Sequence, residues 1–435
     1  MTDTTTGALE AELDELRDWL RDTWDPDLTV GAWWERLGMA GWAQPLLPRD
    51  AYGRGMGHAE SLAVHREIER HGALGAPTGL GLLLAAPTIA THGTPDQVAR
   101  YVPDIVTGRR AWCQLFSEPG AGSDLAGLST RAVRDGDSWI VNGQKVWTSG
   151  GHLADLGMLL ARTNPDVPKH RGITWFAIDM RQPGVEVRPL REMTGSTMFS
   201  EVFLTDAVVT DDARIGDVDD GWRVANTTLT FERTGMGGGG RSLPPARPGT
   251  VTGDLSLRAG DLVAARPGPA ATPSGPRQSP AADLIALAAR RGRSGDPVVR
   301  QALVRLHVLG ELARVSGLRQ RAARAAGHDV PGLPSFTKLM MGDALRLRRD
   351  LGLRLLGPAG TLHGYTDEER AGLTSAAPGV ASPIVTGQAL AAQALPIFGG
   401  TDQIQRNILA ERVLGLPKEP GDLSQVPFSQ LPRNA

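Results

Sequence analysis

Cysteine is all but missing from this 435-residue chain, where Cys113 stands alone. A single thiol excludes an intramolecular disulfide framework and any cysteine-built metal cluster, and no metal site is expected. Lysine is scarce too, confined to Lys145, Lys169, Lys338 and Lys418, so arginine carries almost all the positive charge. A formal net charge of −2 gives no electrostatic reason to expect a nucleic-acid or membrane partner. No apolar run approaches the roughly 20 residues that span a bilayer. "GLGLLLAAP" at 79–87 is the longest candidate and is too short. The start, "MTDTTTGALEAELDELRDWLRD", is acidic and polar, without the apolar centre of a signal peptide. These absences predict a cytoplasmic location.

What is present is the balance of a globular protein, 41% hydrophobic and 22% charged, with length for two or three packed units. Apolar residues recur at helical spacing through residues 1–112, as in "AESLAVHREIERHGAL" (59–74). The period changes at about residue 113. "TRAVRDGDSWIVNGQKVWTSGG" (130–151) alternates apolar and polar, with turn signals at Asp135-Gly136 and Asn142-Gly143. Short strands follow in "DLGMLLART", "GITWFAIDM", "GVEVRPL" and "SEVFLTDAVV", which gives a β domain over 113–220. Helical pattern resumes at "GWRVANTTLTFER" (221–233) and continues through 296–325, 336–356 and 402–414 within a C-terminal helical domain, 221–435. Between lies a Gly- and Pro-rich stretch, about 236–280, with too few large apolar residues to bury, which reads as a mobile surface insertion. The fold class is α+β, ordered helical, β, helical.

"LFSEPGAGSDLAGLSTRA" (115–132) is the most informative segment. Pro119 to Gly122 form a small-residue loop whose N–H groups can approach a phosphate or a polar ring edge, and Ser117 and Ser123 add hydroxyls. Alone, such a loop is more often only a turn. About 25 residues on, "NGQKVWTSGG" offers Trp147, Thr148 and Ser149, an indole face with adjacent hydroxyls that suits a flat heteroaromatic ring. The chain then closes with "LPIFGGTDQIQRNILAERVLGLPKEP" (395–420).

In this order and spacing the three segments resemble the acyl-CoA dehydrogenase family, from about residue 30 to 420. The resemblance implies FAD as cofactor, held by Leu115, Ser117, Gly122, Ser123, Trp147, Thr148 and Ser149, with Thr401 and Gln403 approaching from the C-terminal segment. It also implies an acyl-CoA substrate, contacted by Ser123 and Arg233, and electron-transfer flavoprotein as electron acceptor. In many relatives the catalytic base is a glutamate in a "Y-E-G-T" segment. Here that segment reads Phe398-Gly399-Gly400-Thr401, and Gly399 has no carboxylate. A minority of the family carries the glutamate on the first helix after the β domain, just before an arginine. "TFERTG" puts Glu232 before Arg233 at that place, so Glu232 is the expected base, with the Gly399 N–H left as a donor to the thioester oxygen.

Two family patterns are altered. The "R-x-x-F-G" segment has no Phe-Gly counterpart within "LAARRGRSGDPVVRQALVRLH" (287–307), and the "F-G-G-x-G" loop reads Leu356-Gly357-Pro358-Ala359-Gly360. That combination resembles heterotetrameric members acting on bulky esters such as sterol side-chain CoA thioesters. A homo- or heterotetramer with a second acyl-CoA dehydrogenase-like chain is therefore expected. Two rivals stay open: a catalytically silent partner subunit, and a flavin oxidase or monooxygenase on the same fold. The run Gly237–Gly240 reads equally as room for a wide acyl pocket or as a hinge.

Overall fold

The computed structural model describes residues 2–236, 255–265, 281–326, 328, 330–376, 379, 382–418, 423 and 425–432. The chain packs as two compact units. The first comprises Met1–Leu190, Thr197–Ala270 and Leu423–Ala435, and the second Arg191–Ser196 with Ala271–Asp422.

The first unit opens with five helices: α1 (Thr2–Thr23), α2 (Val30–Met39), α3 (His58–Arg70), α4 (Ala86–His92) and α5 (Pro95–Val106). Thr29 caps α2 by accepting from Ala32 N, and Thr94 with Gln97 forms a capping box on α5, so side chains satisfy the N–H groups a helix start leaves bare. Trp33 is fully buried; Trp24 packs edge-on against it at 4.6 Å, and its indole N–H donates to Leu74 O at 2.6 Å. A buried indole needs such a partner.

Eight strands make one sheet: β1 (Trp112–Leu115), β2 (Arg131–Asp135), β3 (Ser138–Ser149), β4 (Leu156–Arg162), β5 (Ile173–Asp179), β6 (Val185–Leu190), β7 (Phe199–Thr210) and β8 (Arg214–Ile215). The order is β6-β7-β3-β2-β4-β5-β8, with β1 parallel to β4. All seven residues of β4 are buried, the mark of a strand covered on both faces.

Asn142-Gly143 is not a turn. It lies inside β3, where β7 carries one extra residue between Leu204 and Ala207. Asp206 takes a left-handed φ of 50° there and exchanges hydrogen bonds with the Asn142 side chain. Gly143 is needed because a Cβ would lie 2.3 Å from Thr130 Oγ1. The same residue types that favour a hairpin turn thus serve a β-bulge.

Helix α6 (Gly221–Met236) returns along the N-terminal helices, its Thr228 hydroxyl bonded to Thr88 at 2.9 Å and Thr227 bonded to His92 at 2.8 Å. The expected mobile insertion differs from the structure over residues 255–265. There Leu255 and Leu257 carbonyls accept from Gly31 and Val30 N, and helix α7 (Ala259–Ala264) begins at the fully buried Ala259. Leu255, Leu262 and Val263 pack against the core and dock this stretch beside the start of α2. Residues 237–254 and 266–280, including Gly237–Gly240, lie outside the described residues.

The second unit is helical: α8 (Ala282–Arg290), α9 (Pro297–Ala325), α10 (Leu333–Leu356), α11 (Asp367–Ala376), α12 (Pro383–Ala391) and α13 (Asp402–Ile408). Leu284, Leu287, Val299, Leu306, Leu351, Leu355 and Val385 form its core. On α9, Val304, Val308, Leu312 and Val315 recur at helical spacing yet stay exposed. Among the described residues no helix is long and apolar enough to cross a membrane.

Candidate functional site

β1 runs directly into the glycine-rich loop. Ser117 follows two residues after Leu115, and the loop closes on itself through reciprocal backbone bonds between Glu118 and Ala121 at 3.0 Å. Leu115 is buried, Ser117 half-buried, and Gly122 and Ser123 are exposed. The Ser117 and Ser123 hydroxyls make no hydrogen bond to the described residues, so both remain available.

The loop is pinned from beneath by a buried ion pair absent from the sequence-derived site. Glu118 Oε1 lies 2.8 Å from Lys145 Nζ on β3, and Lys145 is fully buried. Ser129 N and Oγ and Thr130 N also donate to the Glu118 carboxylate. Lys145 donates in addition to Phe116 O. Burial alone would raise the Glu118 carboxyl, but the Lys145 ammonium and the Thr130 and Ser129 donors outweigh it and hold the group at about 2. A buried pair of this kind depends on further hydrogen bonds, which Ser129 and Thr130 donate to Glu118 and Lys145 donates to Phe116 O.

Two residues beyond Lys145 the ladder with β7 slips: Val146 and Trp147 together face the single residue between Val202 and Ser200. Trp147 sits at this bulge with a left-handed φ of 59°, a conformation unusual for a bulky side chain. Its indole is 59% exposed, braced edge-on by Phe199 at 5.8 Å. Ser149 is half-buried, whereas Thr148 is fully buried and its hydroxyl has no hydrogen-bond partner among the described residues. The open face at this bulge therefore presents Trp147 and Ser149, with Thr148 enclosed behind them. An exposed indole on a strained bulge, near free hydroxyls and a tight glycine loop, fits a flat aromatic ring with a polar edge.

Glu232 is half-buried near the end of α6 and accepts a hydrogen bond from Gln114 Nε2 at 3.2 Å. Gln114 lies on β1, three residues before Ser117, so the carboxylate is tethered to the strand that enters the glycine loop. The one signal for Gln114 was its position as a polar residue in an otherwise apolar four-residue strand. The Arg233 side chain lies outside the described residues.

In the second unit, Gly399 and Gly400 adopt left-handed φ of 63° and 84°. Gln405 Nε2 donates to Gly399 O, and a Cβ on Gly400 would meet that nitrogen at 2.5 Å. The Gly399 N–H makes no bond to the described residues. Thr401 caps α13 through Ile404 N, Gln403 is exposed, and Asp402 is buried between Lys338 at 3.1 Å and Arg346 at 2.9 Å. Arg293, within the altered segment 287–307, is paired with Asp296. The altered Leu356–Gly360 loop forms a 3-10 turn, Gly357–Thr361, directly after α10.

Models of the acyl-CoA dehydrogenase family match three successive segments: the N-terminal domain over 1–109, the middle domain over 113–207 and the C-terminal domain over 257–414. The chain is 35% identical to acyl-CoA dehydrogenase IpdE1 of Mycobacterium tuberculosis over 391 residues, 89% of this chain and 88% of that protein. Against acyl-CoA dehydrogenase FadE34 of the same organism, identity is 39% over 368 residues, 84% of this chain but 44% of FadE34, so the chain spans under half of that relative. Among solved structures, the ChsE4-ChsE5 complex from Mycobacterium tuberculosis superposes with a TM-score of 0.60 at 26% identity, over 95% of this chain and 98% of that one. The Tcur3481-Tcur3483 steroid ACAD shares the fold, with a TM-score of 0.64 at 24% identity over 95% of this chain and 98% of that one.

The matched family is one of flavoprotein oxidoreductases that act on acyl-CoA. The chain belongs to the acyl-CoA dehydrogenase family.

Proposed function

We propose that this chain is an FAD-dependent dehydrogenase of an acyl-CoA thioester, with Glu232 removing the α-proton. The observation that carries the reading is the Gln114–Glu232 hydrogen bond, because it ties a half-buried carboxylate to the strand leading into the glycine loop. An α C–H is a weak acid, so the proton leaves only if the developing enolate-like charge on the thioester oxygen is stabilised. The unspent Gly399 N–H is the proposed donor to that oxygen, a role needing no side chain. Gln114 orients Glu232 by donating to Oε2 of its carboxylate, the group proposed to take the proton. FAD, when bound, supplies the hydride acceptor for the β-hydrogen.

Ser117, Gly122, Ser123, Trp147 and Ser149 are the residues proposed to hold the flavin, supported by their exposure and unspent hydroxyls. Leu115 and the enclosed Thr148 back that surface. Thr401 and Gln403 are proposed to approach the same cofactor, and Ser123 and Arg233 the acyl-CoA. Electron-transfer flavoprotein is the proposed electron acceptor. The exposed Val304, Val308, Leu312 and Val315 on α9 support assembly with further acyl-CoA dehydrogenase-like chains, as do two similar structures whose names pair two chains, the ChsE4-ChsE5 complex and the Tcur3481-Tcur3483 steroid ACAD. A bulky steroid-type acyl group is the proposed substrate class for the same reason.

The purified protein, alone and with a co-expressed partner chain, should carry flavin absorbance that bleaches on adding an acyl-CoA. Gly399 favours the silent-subunit reading, which predicts no bleaching by this chain's own site in either preparation.

A further inference from the structure

The guanidinium of Arg162, at the end of β4, is 3% exposed and forms no ion pair among the described residues. Its donors go instead to backbone carbonyls: Ala126 O at 2.6 Å, Leu128 O at 3.2 Å and Lys169 O at 2.9 Å. Ala126 and Leu128 belong to the short turn that leaves the glycine loop immediately after Ser123 and Asp124. Lys169 reinforces the same place, its ammonium 2.7 Å from Asp124. One buried cation and one bridging lysine thus fix the exit of the loop.

The far C-terminus covers this cation. The Phe428 ring lies 3.8 Å over the Arg162 guanidinium. Phe428 N donates to Val167 O at 2.9 Å, Ser429 N donates to Pro165 O at 2.8 Å, and Pro427 bridges to Pro168. This segment lies beyond residue 414, where the match to the family's C-terminal domain ends. A buried guanidinium satisfied only by carbonyls depends on exclusion of water, since water would compete for each donor. A ring on its open side both excludes water and offers its negative face to the charge.

We propose that residues 425–432 form a positioning strap for the flavin site, in which Phe428 seals Arg162 so that Arg162 holds the loop exit at Ala126 and Leu128. The flavin part of this statement rests on the reading of Ser117–Ser123 as the cofactor loop. Phe428 is a positioning residue, acting through Arg162.

The test uses the full chain with Phe428→Ala and Phe428→Tyr, read by hydrogen–deuterium exchange in the flavin-free protein and by titration with FAD. Phe428→Ala should speed exchange of amides 124–130 about tenfold and weaken FAD binding by a similar factor. Amides of β5 and α2 should keep their parental rates, and Phe428→Tyr should restore both readouts. Parental exchange at 124–130 in Phe428→Ala overturns the strap, as does a rise spread equally over β5 and α2. Faster exchange at 124–130 with unchanged FAD affinity keeps the strap but overturns the assignment of the loop to flavin. Should Phe428→Ala fail to fold, Ser429→Pro detaches the strap by removing one donor. A folded Ser429→Pro with parental exchange at 124–130 overturns the proposal equally.

Discussion

The loop at 117–123 and the turn at 398–401 are both glycine-rich, and each rests on a buried carboxylate held by cations. Glu118 lies against Lys145 beneath the first; Asp402 lies between Lys338 and Arg346 beneath the second. Above those anchors they differ. The first exposes hydroxyls and, across the bulge in β3, an indole. The second exposes the Phe398 ring and, at Gly399 and Gly400, bare backbone without a carboxylate. The second turn thus keeps a charged scaffold without offering a carboxylate at Gly399, whereas Glu232 on α6 is a carboxylate tied to the first loop's own strand.

Breaking the first anchor should do most damage. Lys145→Met leaves the Glu118 carboxylate buried without its cation and should cost about 3–5 kcal/mol in chemical denaturation. Flavin should be lost from the purified protein as well. A variant within about 1 kcal/mol of the parent would show that this pair does not hold the loop.

Acid should release the same anchor more gently. The Glu118 carboxyl sits at about 2 in the folded chain, below its ordinary 4.5. Its contribution is fully present above 4.5 and is lost as pH falls toward 2, on the order of 3 kcal/mol in all. Urea unfolding at pH 6 and pH 3 should show a steeper loss in the parent than in Glu118→Gln; equal slopes would contradict the assignment.

The second anchor should matter less. Burial would raise the Asp402 carboxyl, but Arg346 and Lys338 overcome it and hold the group below its ordinary value. Asp402→Ala should cost about 2–3 kcal/mol, the scale of hydrogen bonds to charged groups. The smallest stability effect belongs to Trp147→Ala. With the indole exposed, the unfolding midpoint should stay within about 0.5 kcal/mol while flavin affinity falls. Unchanged flavin affinity would remove Trp147 from the cofactor face.

The strands and helices were legible because their periods differ, and β4 to β7 fall where the alternating or continuous apolar runs predict them. Asn142-Gly143 misled because a turn and a bulge demand the same residues; only Thr130 crowding Gly143 and Asp206 facing Asn142 distinguish them. Glu118 and Lys145 lie within the very motifs that named the family, yet a charge in a loop or on a strand reads as solvated until burial is seen. Gln114 and Arg162 escaped for a related reason, since their partners lie 118 and about 35 residues away. Residues 255–265 were lost in the composition of their neighbours, although Leu255, Leu257 and Leu262 carry the apolar signal.

The central claim is that Glu232 is the base, and Glu232→Gln tests it most directly. The variant should still bind flavin and acyl-CoA, since the amide keeps the size of the side chain. In deuterated water with the bound acyl-CoA, α-proton exchange and flavin bleaching should fall together by at least about 100-fold. Parental exchange at the α-carbon in a folded, flavin-loaded Glu232→Gln would contradict the account.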